Sequence, residues 1–150
     1  REGDLMRELE HMARAAKIKV MIFDVDGVLT DGSLTYGPDG EATKTFNVLD
    51  GLGIQLLQKT GVATAIISAR NSPIVVRRAQ DLGIMHVHQG IHDKRVAFAK
   101  LLAETGLTAD QCGYIGDDVI DLPLLLQLSL RFSSSFPASS KMRRACPRSP

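Results

Sequence analysis

Apolar positions recur along the chain in two periods, and the switches between them mark out the elements. Leu5, Leu9, Met12 and Ala16 are spaced four, three and four apart, which predicts an opening amphipathic helix laid over the core. IKVMIFD follows at residues 18–24, a branched apolar run that ends in acids and glycine, as buried parallel strands do at their functional end. From Gly32 to Phe46 the pattern breaks into two short strand-like pieces around Gly-Pro-Asp-Gly, predicting a β-hairpin inserted outside the core.

Beyond the hairpin, Leu52, Leu56 and Leu57 before Gly61 predict a helix that hands over to the strand VATAIIS. Ser72 and Pro73 read as an N-cap with proline at the first helical position, and Gly83 as the matching stop. The strand IMHVH, a helix from about Asp93 to Gly106, the strand CGYIGDD and a last helical turn through Leu122–Leu128 complete the order. Such alternation implies a parallel α/β sheet flanked by helices, of Rossmann-like type, with ligands beyond the carboxyl ends of its strands.

Composition refines this picture without redirecting it. At 150 residues, with 44% apolar and 23% charged positions and a formal charge of +1, the chain predicts one domain and carries no basic excess of the kind nucleic-acid binding requires. Cys112 and Cys146 are too few for a disulfide framework or a paired-cysteine zinc site, and with no secretory leader or membrane-length apolar run the expectation is a soluble, cytoplasmic protein. Residues 122–150 hold five basic and no acidic side chains among many Ser and Pro, so the atypical tail at 131–150, from Ser133 onward above all, is expected to be poorly ordered.

Candidate chemistry concentrates at the predicted strand ends. In DVDG at 24–27, Asp24 and Asp26 could divide labour between attack on phosphorus and proton transfer to a leaving oxygen, although DxDG alone fits an ordinary strand-to-loop junction equally well. GDDVID at 116–121 supplies three carboxylates, a hard-oxygen cluster suited to Mg²⁺, with a solvated acidic turn as the bland reading. Ser68 and Lys94, at neighbouring strand ends, suit non-bridging phosphoryl oxygens; singly, each reads as a cap or a solvated charge. His86, His88 and His92 lack zinc-site spacing, and Cys112 reads as a small buried hydrophobe.

DVDG, Ser68, Lys94 and GDDxxD, in this order on successive strands, resemble the haloacid dehalogenase superfamily of phosphotransferases over roughly residues 18–128. The resemblance implies Asp24 as nucleophile, Asp26 as general acid and base, Ser68 and Lys94 as phosphoryl clamps, and Mg²⁺ held by Asp24, the carbonyl of Asp26 and Asp117, with Asp118 and Asp121 in its outer shell. Only 43 residues separate Asp24 from Ser68 and 25 separate Ser68 from Lys94, so no cap domain fits. DVDGVLTDGSLTYGPDGE, FNVLDGLGIQLL, SARNSPIVVRRAQDLGI, HQGIHDKR and GDDVIDLP further resemble a capless branch that dephosphorylates an acidic sugar phosphate as a homotetramer. That likeness implies a substrate carboxylate facing Arg70 or Arg78, and subunits associating through the hairpin. Leu49 stands where that branch shows an arginine, and nothing from Arg131 onward resembles its ending. A phosphatase for another acidic sugar, of sialic-acid type, and a catalytically silent assembly module are the competing expectations.

Overall fold

In the computed structural model the described residues are 2–116 and, for the backbone, 130–133. Five parallel strands form the central sheet: β1 (Val20–Phe23), β4 (Ala63–Ile67), β5 (His86–His88), β6 (Cys112–Gly116) and β7 (Leu130–Ser133), in the order β5-β4-β1-β6-β7. Between β1 and β4 lie the hairpin strands β2 (Thr35–Gly37) and β3 (Gly40–Thr43), an antiparallel pair forming a sheet of its own. The parallel α/β architecture and the hairpin agree with the sequence pattern, and no cap domain stands among the described residues.

Strand periodicity divides the core into two layers. Val20, Ile22, Ala65, Ile67 and Tyr114 face one side, where α4 (Lys94–Thr105) covers them with Ala97, Phe98 and Leu101. Phe23, Val25 and Ile66 face the other, packed by Ile54 of α2 (Val48–Lys59) and by Val75 and Ala79 of α3 (Pro73–Asp81). Both sheet faces are therefore covered by helices, which is why the strands read as continuous apolar runs. Helix α4 begins and ends as its sequence predicts: Asp93 accepts from Arg95 N–H, and Gly106 takes the left-handed conformation, φ 69°, that a side chain disfavours.

Two expectations change, and two helices show details that the sequence pattern left open. The opening helix forms as α1 (Glu2–Ala16), but it buries no residue, and Leu5, Leu9 and Met12 are more than half exposed. Its apolar stripe is real, yet α2, α3 and α4 already supply the two helical layers, so it covers no core. In α2 the inward face is Gly51 and Ile54, while Leu52 and Leu56 point outward. Gln58 shares that inward side and ties α2 to Thr64 Oγ1 and the Leu82 carbonyl, at 2.8 and 3.1 Å. Ser72 does precede Pro73 at the start of α3, but its hydroxyl makes no capping bond; the Gln89 side chain bonds its backbone N–H and carbonyl instead. Finally, the sheet gains β7 at 130–133, inside the stretch expected to lack core structure, paired in register with β6 from Gly113↔Leu130 to Gly116↔Ser133. The last helical turn at 122–128 and the tail from residue 134 lie outside the described residues.

Candidate active site

Parallel register places the candidate chemistry on one edge. β1 is the central strand, pairing with β4 through Phe23↔Ile66 and with β6 through Phe23↔Ile115. Asp24, one residue past β1, therefore emerges between the end of β4, with Ser68 just beyond it, and Gly116 of β6, and its N–H still bonds the Ile115 carbonyl at 2.9 Å. Gly27, at φ 79°, turns the chain away from that edge, and its N–H is held by Thr30 Oγ1 at 3.2 Å.

The floor of the site is nearly sealed from solvent. Asp24, Ser68 and Lys94 are 6%, 2% and 3% exposed. Asp24 Oδ1 accepts from Val25 N–H at 2.8 Å, and Lys94 Nζ lies 3.1 Å from Asp24 Oδ2. Lys94 opens α4 and extends across the strand ends, where it also donates to Tyr114 Oη at 3.0 Å. A buried lysine and a buried carboxylate each carry a large desolvation cost, which their mutual contact and these hydrogen bonds offset. Ser68 is fixed by its backbone: its N–H bonds the His88 carbonyl and its carbonyl accepts from Ile91, while its Oγ accepts from Arg70 N–H at 3.4 Å.

Asp26 is a quarter exposed and meets the hairpin. Lys44, just past β3, places Nζ 2.5 Å from Asp26 Oδ1 and 2.7 Å from Glu41 Oε1. Burial alone would lower the Lys44 pKa, but the hydrogen bonds to Asp26 and Glu41 outweigh it and hold the ammonium above its ordinary value. For Glu41 the same balance runs the other way: burial pushes its pKa up, and the bond to Lys44 brings it below the usual carboxylate range. Arg70 stands on the other side of Asp26, Nε to Oδ2 4.0 Å, and donates to Tyr36 Oη of β2 at 3.1 Å.

The structure thus brings together Asp24, Asp26, Ser68, Lys94 and Arg70. Arg78 sits elsewhere: its guanidinium stacks 5.6 Å from the Phe46 ring centroid and donates to the Asn47 carbonyl, lining a recess with Asp50 and Ile54. There burial raises the Asp50 pKa against the opposing charge of Arg78. Leu49, in the first turn of α2, is 62% exposed. Asp117, Asp118 and Asp121 lie outside the described residues. Three neighbours of the site were not singled out in the sequence: Lys44, Glu41 and Tyr114. A tyrosine in a buried strand signals a hydroxyl in need of a partner; nothing in the hairpin's composition marks Lys44 or Glu41.

As for a metal, the Asp24 carboxylate and the Asp26 carbonyl are hard oxygen donors at one strand end, the donor chemistry Mg²⁺ takes, and the next residue after β6 is Asp117. Among the described residues no group of three or more His, Cys, Asp or Glu could hold a metal ion. His86 and His88 approach the same Glu104 oxygen, at 3.7 and 3.6 Å, away from the strand-end cluster. Cys112 is fully buried, and burial pushes its thiol up to about 11.

No protein-family model matches the chain. Individual proteins do. The 3-deoxy-D-manno-octulosonate 8-phosphate phosphatase KdsC of Haemophilus influenzae is 47% identical over 116 residues, covering 77% of this chain and 64% of that protein. The corresponding phosphatase of Moraxella catarrhalis, solved with magnesium ion, phosphate ion and KDO, superposes with a TM-score of 0.76 at 43% identity, covering 83% of this chain and 70% of that one. A HAD superfamily (subfamily III A) hydrolase structure from Legionella pneumophila gives a TM-score of 0.84 at 40% identity over 91% of this chain and 76% of its own.

The chain belongs to the haloacid dehalogenase superfamily. It spans less than two thirds of the length of the curated relatives it matches. Two of the relatives named above carry phosphatase names and the third a hydrolase name. Among the described residues no helix is long and apolar enough to cross a membrane.

Proposed function

We propose that the chain is a Mg²⁺-dependent phosphomonoesterase that hydrolyses 3-deoxy-D-manno-octulosonate 8-phosphate to the free sugar acid and phosphate. The observation that carries this reading is the buried Asp24 carboxylate just past β1, held by Val25 N–H and Lys94, with Asp26 two residues on and a quarter exposed. The phosphatase names of relatives at 40–47% identity supply the substrate.

An oxygen of Asp24 attacks phosphorus, and the bond from phosphorus to the sugar oxygen breaks as Asp26 delivers a proton to that oxygen. Asp26, now a carboxylate, takes a proton from water as the water oxygen attacks phosphorus, and phosphate leaves with Asp24 restored. Lys94 and Ser68 bind the non-bridging oxygens, and Arg70, half exposed beside Asp26, is placed to meet the sugar carboxylate. Asp24, the Asp26 carbonyl and Asp117 would hold Mg²⁺, with Asp118 and Asp121 outside them; when bound, the ion offsets the repulsion between the phosphoryl group and the carboxylates. A homotetramer joined through the hairpin would close the open side of a site that no cap covers among the described residues.

Hydrolysis of a panel of sugar phosphates, with Mg²⁺ and with excess chelator, tests the reading. The expected result is metal-dependent release of phosphate, fastest from the eight-carbon acid. Equal rates on a nine-carbon sialic-type phosphate would move the substrate assignment; no hydrolysis of any member would leave a silent assembly module.

A further inference from the structure

The hairpin does more than offer edges for association. Its Lys44 side chain is 1% exposed, and its ammonium reaches Asp26 Oδ1 and Glu41 Oε1 at 2.5 and 2.7 Å. A lysine loses considerable rotamer entropy when buried, and burying its charge adds a desolvation cost, so a contact this specific is poorly explained as a surface ion pair. The opposite oxygen, Asp26 Oδ2, faces Arg70 at 4.0 Å, beyond hydrogen-bond distance. Arg70 is itself tied to Tyr36 of the same hairpin, so two polar links join this insertion to the loops at the strand ends.

From this geometry we infer that Lys44, buttressed by Glu41, is a positioning residue for the phosphatase reaction: it fixes the Asp26 carboxylate by one oxygen so that the other faces the leaving group. This rests on the phosphatase reading above, in which Asp26 is the proton donor. Its ammonium meets the Asp26 and Glu41 carboxylates, and in this role it acts through Asp26. The hairpin is then a part of the catalytic apparatus, in place of the cap that is absent among the described residues.

Orientation of a general acid matters most when the leaving oxygen is basic and least when it departs unassisted. The test compares kcat/KM, which covers the steps through loss of the first product, for an alkyl phosphate such as the sugar substrate and for p-nitrophenyl phosphate. In Lys44→Met the loss on the alkyl ester should exceed the loss on the aryl ester by about tenfold or more, with Lys44→Arg recovering most of the difference and Glu41→Gln, which keeps its shape, showing the same selectivity to a smaller degree. Equal losses on the two esters would overturn the inference, since a structural lesion does not sense the leaving group. A crystal structure of Lys44→Met supplies a readout independent of turnover: the Asp26 carboxylate should leave its present position, and an unmoved Asp26 would refute the role. If the unmodified protein hydrolyses neither ester, the phosphatase reading fails first, and the crystallographic result still decides whether Lys44 orients Asp26.

Discussion

The site has a floor and a rim, and they are built by different means. On the floor, Asp24, Ser68 and Lys94 are each less than a tenth exposed and are fixed by the register of three parallel strands and the first turn of α4. On the rim, Asp26, Arg70 and Tyr36 are 25%, 44% and 61% exposed, and the hairpin that surrounds them meets the core edge through Lys44–Asp26 and Arg70–Tyr36. Preorganisation is costly in buried charge but precise, which would suit groups that meet phosphorus in the proposed reaction. Under the proposed reading, discrimination among sugars would fall to the rim, where side chains can differ without disturbing the sheet.

Asp24→Asn breaks the floor most completely. The amide keeps the shape but cannot form the acyl phosphate, so phosphate release should fall below detection while the far-ultraviolet circular dichroism stays that of the parent. Next comes Lys94→Met, which leaves Asp24 buried without its cation: unfolding in urea should show a loss of about 3–5 kcal/mol, together with loss of turnover. Lys94→Met as stable as the parent would show that the floor does not depend on this pair.

Tyr114→Phe is a finer probe of the same region. It removes the hydroxyl that accepts from Lys94 and leaves the buried ring, so about 1–2 kcal/mol of stability should go, measured by the same titration. On the rim, Tyr36→Phe frees Arg70 from its hairpin partner; KM for the sugar phosphate should change about two- to fivefold, the scale of one exposed hydrogen bond, with stability unchanged. A stability loss larger than that of Tyr114→Phe would erase the distinction between the two parts.

How much of this was legible follows the same division. The floor was readable because it is local: a branched apolar run that ends in Asp24, a strand that ends in Ser68, and Asp93-Lys94 opening a helix each announce their place within a few residues. Lys44 reaches Asp26 across 18 positions through a hairpin whose register shifts between Thr35 and Tyr36, and no local period reports such a contact. The failure at α1 has a related cause. Leu5, Leu9 and Met12 announce a helix and a stripe, but whether a stripe is buried depends on which faces other helices already occupy. For β7 the pairing with β6 decides the element against a Ser-rich local composition.

The smallest expected effect lies outside floor and rim and serves as their reference. Burial lowers the His88 pKa below its ordinary value, against the attraction of Glu104. A depressed histidine pKa means that the unfolded chain binds the proton more readily, so stability present above pH 6.5 should decline as pH falls below it. His88→Phe should flatten that part of the Tm-against-pH curve; an unchanged slope would assign the loss to other groups.

If phosphorus passes through Asp24, the acyl phosphate can be trapped there. Substrate labelled in its phosphoryl group is mixed with excess enzyme and Mg²⁺, quenched in acid within the first turnover, and the labelled peptide is sequenced. The account predicts an acid-stable, hydroxylamine-labile phosphate on Asp24; label on any other residue would contradict it.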